Sequence, residues 1–216
     1  KLKIVAITSL FALSSAFYAL SIPDKYTSSA LLQVQSNSNN SGSSLTSQLG
    51  GLASLAGITM PSSGGDKSFY AIETVQSREF LKHLVTFEGV KENLIAAIGY
   101  DHELKVSLFD DEIFNPNKNE WLRPETKETK TIPTYLEIYD DVYIQDVLIS
   151  KDKKSGYILI SFEHYSPQFA YNFLNLIIDE LNTVSRKKDI EESQKALDYL
   201  SEQSKVIDQK NIKNSI

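Results

Sequence analysis

The residues that could do chemistry in this chain are scattered rather than gathered. Its three histidines, His83, His102 and His164, stand far apart. None has the HxxxH or HExxH spacing that puts two ligands on one helix face for a metal, so each reads as a surface or core residue. Asp110-Asp111-Glu112 and Asp140-Asp141 could supply the carboxyl pair of a glycoside hydrolase, one as acid and the other as base or nucleophile. Adjacent acids in polar stretches are more often a solvated face or a helix start. Gly65-Asp66-Lys67-Ser68 ends like a phosphate loop, but an acid stands between Gly and Lys. Met60 occupies the place of the first glycine in G-x-x-x-x-G-K-[ST], so the amide-and-lysine cradle of that motif is not written here. There is no G-x-S-x-G elbow for a serine nucleophile. There is no cysteine, which excludes disulfides, thiolate metal sites and a cysteine nucleophile. We expect no cofactor, no metal and no enzymatic activity. Eleven Tyr, ten Phe and the single Trp121 allow a carbohydrate-contacting aromatic patch, though core packing is the commoner role of such residues.

A net charge of −6 argues against nucleic-acid binding, which needs a basic face, and against a basic patch on anionic lipid. An apolar fraction of 41% is enough for a core, and the length suits one medium domain with or without an extension. The chain starts without Met and stops inside a charged helical pattern, so further sequence is expected at both ends.

The elements that must position any site begin with an uncharged run, Ile4 to Pro23, flanked by Lys1 and Lys3 on one side and Asp24 and Lys25 on the other. About 19 helical residues cover roughly 28 Å, close to the ~30 Å hydrocarbon core of a bilayer. A lone span in lipid must be helical, and the flanking lysines place the N-terminus in the cytoplasm. Two rivals stay open: a cleaved signal peptide with Ser14-Ser15-Ala16 at its cleavage site, and a buried core helix. Residues 1–23 are thus expected to form a transmembrane helix with its boundary at Pro23 and Tyr26.

Tyr26 to Gln35 reads as a strand, Ser36 to Ser44 as a Ser/Asn/Gly-rich loop, and Leu45 to Ile58 as a helical pattern with Leu at 45, 49, 52 and 55. Within it, the Gly50-Gly51 pair costs on the order of 1 kcal/mol per Gly relative to Ala and permits close backbone packing or a flexible loop. A second loop covers Met60 to Asp66, with Pro61 and Gly64-Gly65. Lys67 to Val85 is helical by pattern, with Phe69, Ile72, Val75, Phe80, Leu81 and Leu84 on one broad face. Lys91 to Ile98 is a second helix stopped at Gly99, and residues 100–134 read as loop-rich. Pro133 to Val147 reads as a short helix. Val147 to Glu163 is the clearest β signal, an antiparallel hairpin turning at Lys153 to Gly156. Ser166-Pro167 then starts a helix, Ser as N-cap and Pro at N1, with no Pro or Gly from Gln168 to Ile216. Its apolar face is dense from Phe169 to Val184 and sparse beyond Arg186, where Ile190, Leu197, Leu200 and Ile207 keep an a/d register. Such an arm is marginal alone and needs a partner helix.

Together these features resemble the chain-length determinants, the polysaccharide co-polymerases of the Wzz type. The residues that carry the resemblance are the N-terminal span ending in Ile22-Pro23-Asp24-Lys25-Tyr26-Thr27-Ser28, the segment Leu49-Gly50-Gly51-Leu52-Ala53-Ser54-Leu55-Ala56-Gly57-Ile58, Ser77-Arg78-Glu79-Phe80-Leu81, and the strand with its Ser-Pro-led helix over Ile158 to Asn182. The order is fairly specific, though no single motif is, and residues 100–135 fit least. The resemblance implies an α+β fold: a periplasmic α/β base domain with a small mixed sheet over residues 24–185, and a long extended helix starting at 186–216. It implies a second transmembrane helix, for which this sequence has no counterpart. It also implies ring-like homo-oligomers in the bacterial inner membrane and control of the length of O-antigen or a related glycan, with the membrane-embedded polymerase, lipid-linked polysaccharide and the bilayer as partners. Leu49, Gly50, Gly51, Leu52, Leu55, Leu197 and Leu200 are the candidate contacts between copies. Three other functions stay open: the periplasmic part of a capsule-export tyrosine autokinase of the same superfamily, a periplasmic glycan-cleaving enzyme using Asp110, Asp111, Asp140 or Asp141, and an unrelated membrane-anchored periplasmic binding protein.

Overall fold

In the computed structural model of the chain, which describes residues 2–33, 67–126 and 129–213, the apolar run at the start is a single helix, α1 (Leu2–Ser21). Its large side chains from Ile7 to Leu20 are exposed, which sets aside the buried core helix. Among the described residues no helix is long and apolar enough to cross a membrane, so the membrane reading of α1 rests on its sequence. Pro23 cannot continue the helix, and the chain turns into β1 (Tyr26–Leu32). The strand stops short of the expected Gln35: Gln33 is no longer part of it, while residues 34–35 and the whole of the Leu45 to Ile58 pattern with Leu49, Gly50, Gly51, Leu52 and Leu55 lie outside the described residues.

The helical pattern expected from Lys67 to Val85 is broken in two, α2 (Lys67–Val75) and α3 (Arg78–Leu84). Ser77 makes the break. Its hydroxyl accepts from the Phe80 amide at 3.1 Å and donates to Thr74 O at 2.8 Å, capping the new helix in the way that competes with continuing the old one. The break resets the helical phase, so Phe69 is 60% exposed while Ser68, Ala71 and Val75 are buried. Next comes α4 (Val90–Ala96), entered through left-handed Gly89 at φ 76°. Gly99 does not end it, contrary to expectation. The backbone turns extended at Ala97, and Gly99 lies within β2 (Ala97–Asp101) beside a bulge.

The stretch expected to be loop-rich holds two small antiparallel hairpins. One pairs β2 with β3 (Val106–Phe109) and the other pairs β4 (Phe114–Asn115) with β5 (Glu120–Trp121). Side chains rather than glycines make their turns. Asp101 Oδ1 accepts from the amides of Glu103 and Leu104 at 2.8 and 2.9 Å, and Asn115 Oδ1 does the same for Asn117 and Lys118. Lys105 and Asn119 take the left-handed conformation at φ 56° and 53°. Trp121 packs on Phe114, and Phe114 on Phe109, so these aromatics serve packing.

Thr134 caps α5 (Tyr135–Ile138), accepting from the Glu137 amide. The helix passes through a π turn (Tyr139–Tyr143) into α6 (Ile144–Asp146). The π turn aims two phenols at the carbonyls left open where α2 ends. Tyr143 donates to Val75 O at 2.8 Å and Tyr139 to Gln76 O at 2.6 Å. Burial pushes the Tyr143 hydroxyl far above its ordinary pKa. Arg123 holds the preceding loop to α5. Its guanidinium forks onto the Glu137 carboxylate, and its Nε donates to Lys130 O at 2.7 Å. The Arg123–Glu137 hydrogen bonds hold the Glu137 carboxyl below its usual range.

The expected hairpin forms as β6 (Val147–Lys151) and β7 (Ile158–His164). The strand order is β1-β7-β6, and every pairing is antiparallel. The described strands therefore supply no parallel pair of the kind the expected mixed sheet calls for. β7 is the centre. Ile158, Ile160, Phe162 and His164 are buried on one face and pack with Ala170, Phe173 and Leu174 into the core. α7 (Pro167–Lys213) starts as its sequence predicts, with Ser166 Oγ accepting from the Phe169 amide at 3.2 Å.

The chain divides into two compact units, Lys1–Asn175 and Leu176–Ile216. In the second, Ile177 and Leu181 are buried, and every described residue from Asp189 to Glu202 is exposed.

Candidate functional site

The described chemistry-bearing residues converge most at one end of the sheet. There β1 begins, β7 ends and α7 starts, because Tyr26 is paired with His164 in the antiparallel register. Lys25, the residue between α1 and β1, is bracketed by two acids. Its Nζ lies 3.8 Å from Asp146 Oδ1 at the end of α6 and 3.8 Å from Glu163 Oε1 on β7, with the Tyr165 ring 5.5 Å below it. Burial raises the Asp146 carboxyl and Glu163 raises it further, while Lys25 lowers it. The lysine thus ties the start of β1 to the end of α6 and to β7, although its exposure keeps each ion pair weak.

His164 is the second member. It is 6% exposed, and its two nitrogens have fixed roles. Nδ1 accepts from the Ser166 amide at 3.0 Å, so Nε2 carries the proton and donates to Asn93 O at 2.9 Å. Phe162 and Phe169 flank the ring. Burial holds its pKa below 6.5, and Lys25 lowers it further. The neutral imidazole thus ties the end of β7 to α4 beside the cap of α7. Asn93 carries the link onward: its Oδ1 accepts from Ser107 of β3 at 2.6 Å, and its Nδ2 donates to Gly89 O at 2.8 Å.

The third member is the hairpin tip. His102 Nε2 lies 3.2 Å from the Tyr26 hydroxyl, and the Tyr100 ring meets His102 edge-on. Lys25, Asp146, Glu163, His164, Tyr26, Tyr100 and His102 thus gather at one end from separate parts of the chain. The arrangement can hold together the strand and helix ends that meet there. Among the described residues no cluster of His and carboxylates could hold a metal ion.

Of the residues expected from the sequence, Pro23 and Tyr26 belong to this end. Leu197 and Leu200 lie in the second unit, 61% and 48% exposed. Asp110 Oδ1 accepts from the Glu112 amide in a turn, and Asp140 pairs with Arg78 at 3.2 Å. Sequence reasoning missed Lys25, Asp146 and Glu163 because single charges brought together by a fold leave no local pattern.

No curated protein matches the chain. Residues 1–86, which take in α1, β1, α2 and α3, match the model of the Wzz family, described as chain length determinant protein. Over that span the match bears out the resemblance drawn from the residues, and the chain is similar to the Wzz-type polysaccharide co-polymerases.

Proposed function

We propose that this protein regulates the chain-length distribution of a surface polysaccharide, O-antigen or a related lipid-linked glycan, from the bacterial inner membrane. The observation that carries the reading is the match of residues 1–86 to the chain length determinant family, which supports a chain-length role in general and a non-enzymatic one. In this reading α1 is the transmembrane anchor. Its 20 residues cover about 30 Å at 1.5 Å per residue, the thickness of a hydrocarbon core. Residues 24–185 form a periplasmic base domain, with the Lys25 ion pairs at the end where the anchor joins it. Copies assemble into a ring beside the polymerase, using Leu49, Gly50, Gly51, Leu52 and Leu55 and the arm residues Leu197 and Leu200. The assembly sets how long the growing glycan stays with the polymerase.

Gel analysis of surface polysaccharide from cells lacking the gene tests the role. Loss of a modal length is the expected result, and loss of all polymer would point to export instead. Assembly has its own test in native membranes, where Leu197→Asp is expected to weaken the oligomer more than Lys195→Asp. Equal effects would remove the arm seam.

A further inference from the structure

The β2–β3 hairpin has its polarity reversed. A two-stranded ribbon with one covered face ordinarily turns polar residues to water. Here Ser107 and Phe109 face inward, to Asn93 and Phe114, while Ile98, Leu104, Val106 and Leu108 are exposed at 52, 72, 48 and 46%. Four exposed aliphatic side chains on one small ribbon make an apolar surface of the kind that marks an interaction site.

Its position indicates the partner. The tip residue His102 touches Tyr26, which lies four residues beyond Ile22, the last apolar residue of the α1 run. Four residues of extended chain reach at most about 14 Å, and the headgroup layer on each side of a bilayer is on the order of 5–8 Å deep. Tyr26 is therefore within about 14 Å of the end of the apolar run. With Tyr100 and His102 it is within reach of the interface that amphipathic rings favour, and Leu104 is two residues further along the tip. The turn's charges, Asp101, Glu103 and Lys105, leave it slightly acidic, so nothing draws it to anionic lipid and the attraction is apolar.

We infer that the β2–β3 hairpin lies on the bilayer surface beside α1, its aliphatic face resting among the lipid headgroups as a second, non-spanning contact. The inference rests on the membrane reading of α1, and the partner is the lipid surface itself.

Because the chain has no cysteine, single labels can be placed cleanly. The full chain carrying Phe17→Cys, Leu104→Cys, Val106→Cys or Lys153→Cys, each with an environment-sensitive fluorophore, is reconstituted in phosphatidylcholine vesicles containing spin-labelled lipids. Lys153 lies in the β6–β7 turn, at the opposite end of the sheet. We expect mid-bilayer quenchers to reach Phe17, headgroup-level quenchers to reach Leu104 and Val106 with a blue shift that high salt leaves unchanged, and neither to reach Lys153. If Phe17 is quenched while both tip positions stay unquenched and water-exposed, the inference is overturned and the anchor stands. Tip positions shielded from water but not reached by lipid quenchers assign the face to a second copy, which also overturns it. An unquenched Phe17 removes the anchor reading and the inference with it.

Discussion

Strand β7 and the β2–β3 hairpin alternate apolar residues in the same way and meet opposite fates. β7 is paired on both edges, and α7 covers its inner face, so Ile158, Ile160 and Phe162 lie at 0–1% exposure. The hairpin has one partner strand, spends its covered face on Ser107 and Phe109, and leaves its aliphatic residues outside. Alternation specifies a strand, but which face is covered depends on what arrives from elsewhere in the chain. The two regions meet at Asn93, whose backbone carbonyl takes the His164 proton and whose side chain takes the Ser107 hydroxyl.

The contrast is breakable at four points. Phe162→Ala empties a fully buried aromatic site and should cost about 3–5 kcal/mol, read by denaturant unfolding of the full chain in detergent. A loss below ~1 kcal/mol would mean that β7 is not the core's centre. Asn93→Ala removes the Ser107 and Gly89 hydrogen bonds and should cost about 1–2 kcal/mol. Amide exchange should rise in the hairpin while β7 stays protected, and equal loosening of both would deny the distinction. Acid tests the same junction through His164. Its pKa is lower folded than unfolded, so the unfolded chain binds the extra proton first. The stability from the neutral ring is complete above pH 6.5 and is lost as pH falls from there through the folded pKa. His164→Phe should flatten that part of the stability–pH curve, and an unchanged slope would clear His164 of the effect. At the small end, Ile98→Ser on the exposed hairpin face should change stability by no more than about 0.5 kcal/mol. A large loss in the same unfolding experiment would show that protein covers that face.

What was legible in the sequence follows the same line. The β6–β7 hairpin and the Ser166-Pro167 helix start were written in local patterns, strong alternation around a glycine turn and a cap with a proline behind it. The β2–β3 hairpin was not. Its β3 strand has four residues, and its turn is built by the Asp101 carboxylate and a left-handed Lys105 rather than by glycine. The break at Ser77 was hidden because apolar residues on either side keep helical spacing across it. Gly99 drew the stop that belonged after Ala96, where the backbone simply becomes extended at Ala97. At the candidate site, Pro23 and Tyr26 were readable as the end of an apolar run. The clamp around Lys25 was not, since Asp146 and Glu163 come to it only through the fold.

The register of β1 on β7 has a mechanical side. The helix before β1 and the helix after β7 attach at the same end of this strand pair, at Tyr26 and His164. A load drawn between α1 and α7 therefore falls on one residue pair at a time and peels the strands like a zipper. Attachment at opposite ends would instead have loaded all the hydrogen bonds together. The Lys25 ion pairs and the Tyr26–His102 contact stand at the mouth of that zipper, where a single-molecule pulling trace should show the first yield. Removing Lys25 should lower that force, and an unchanged trace would mean that the clamp bears none of the load.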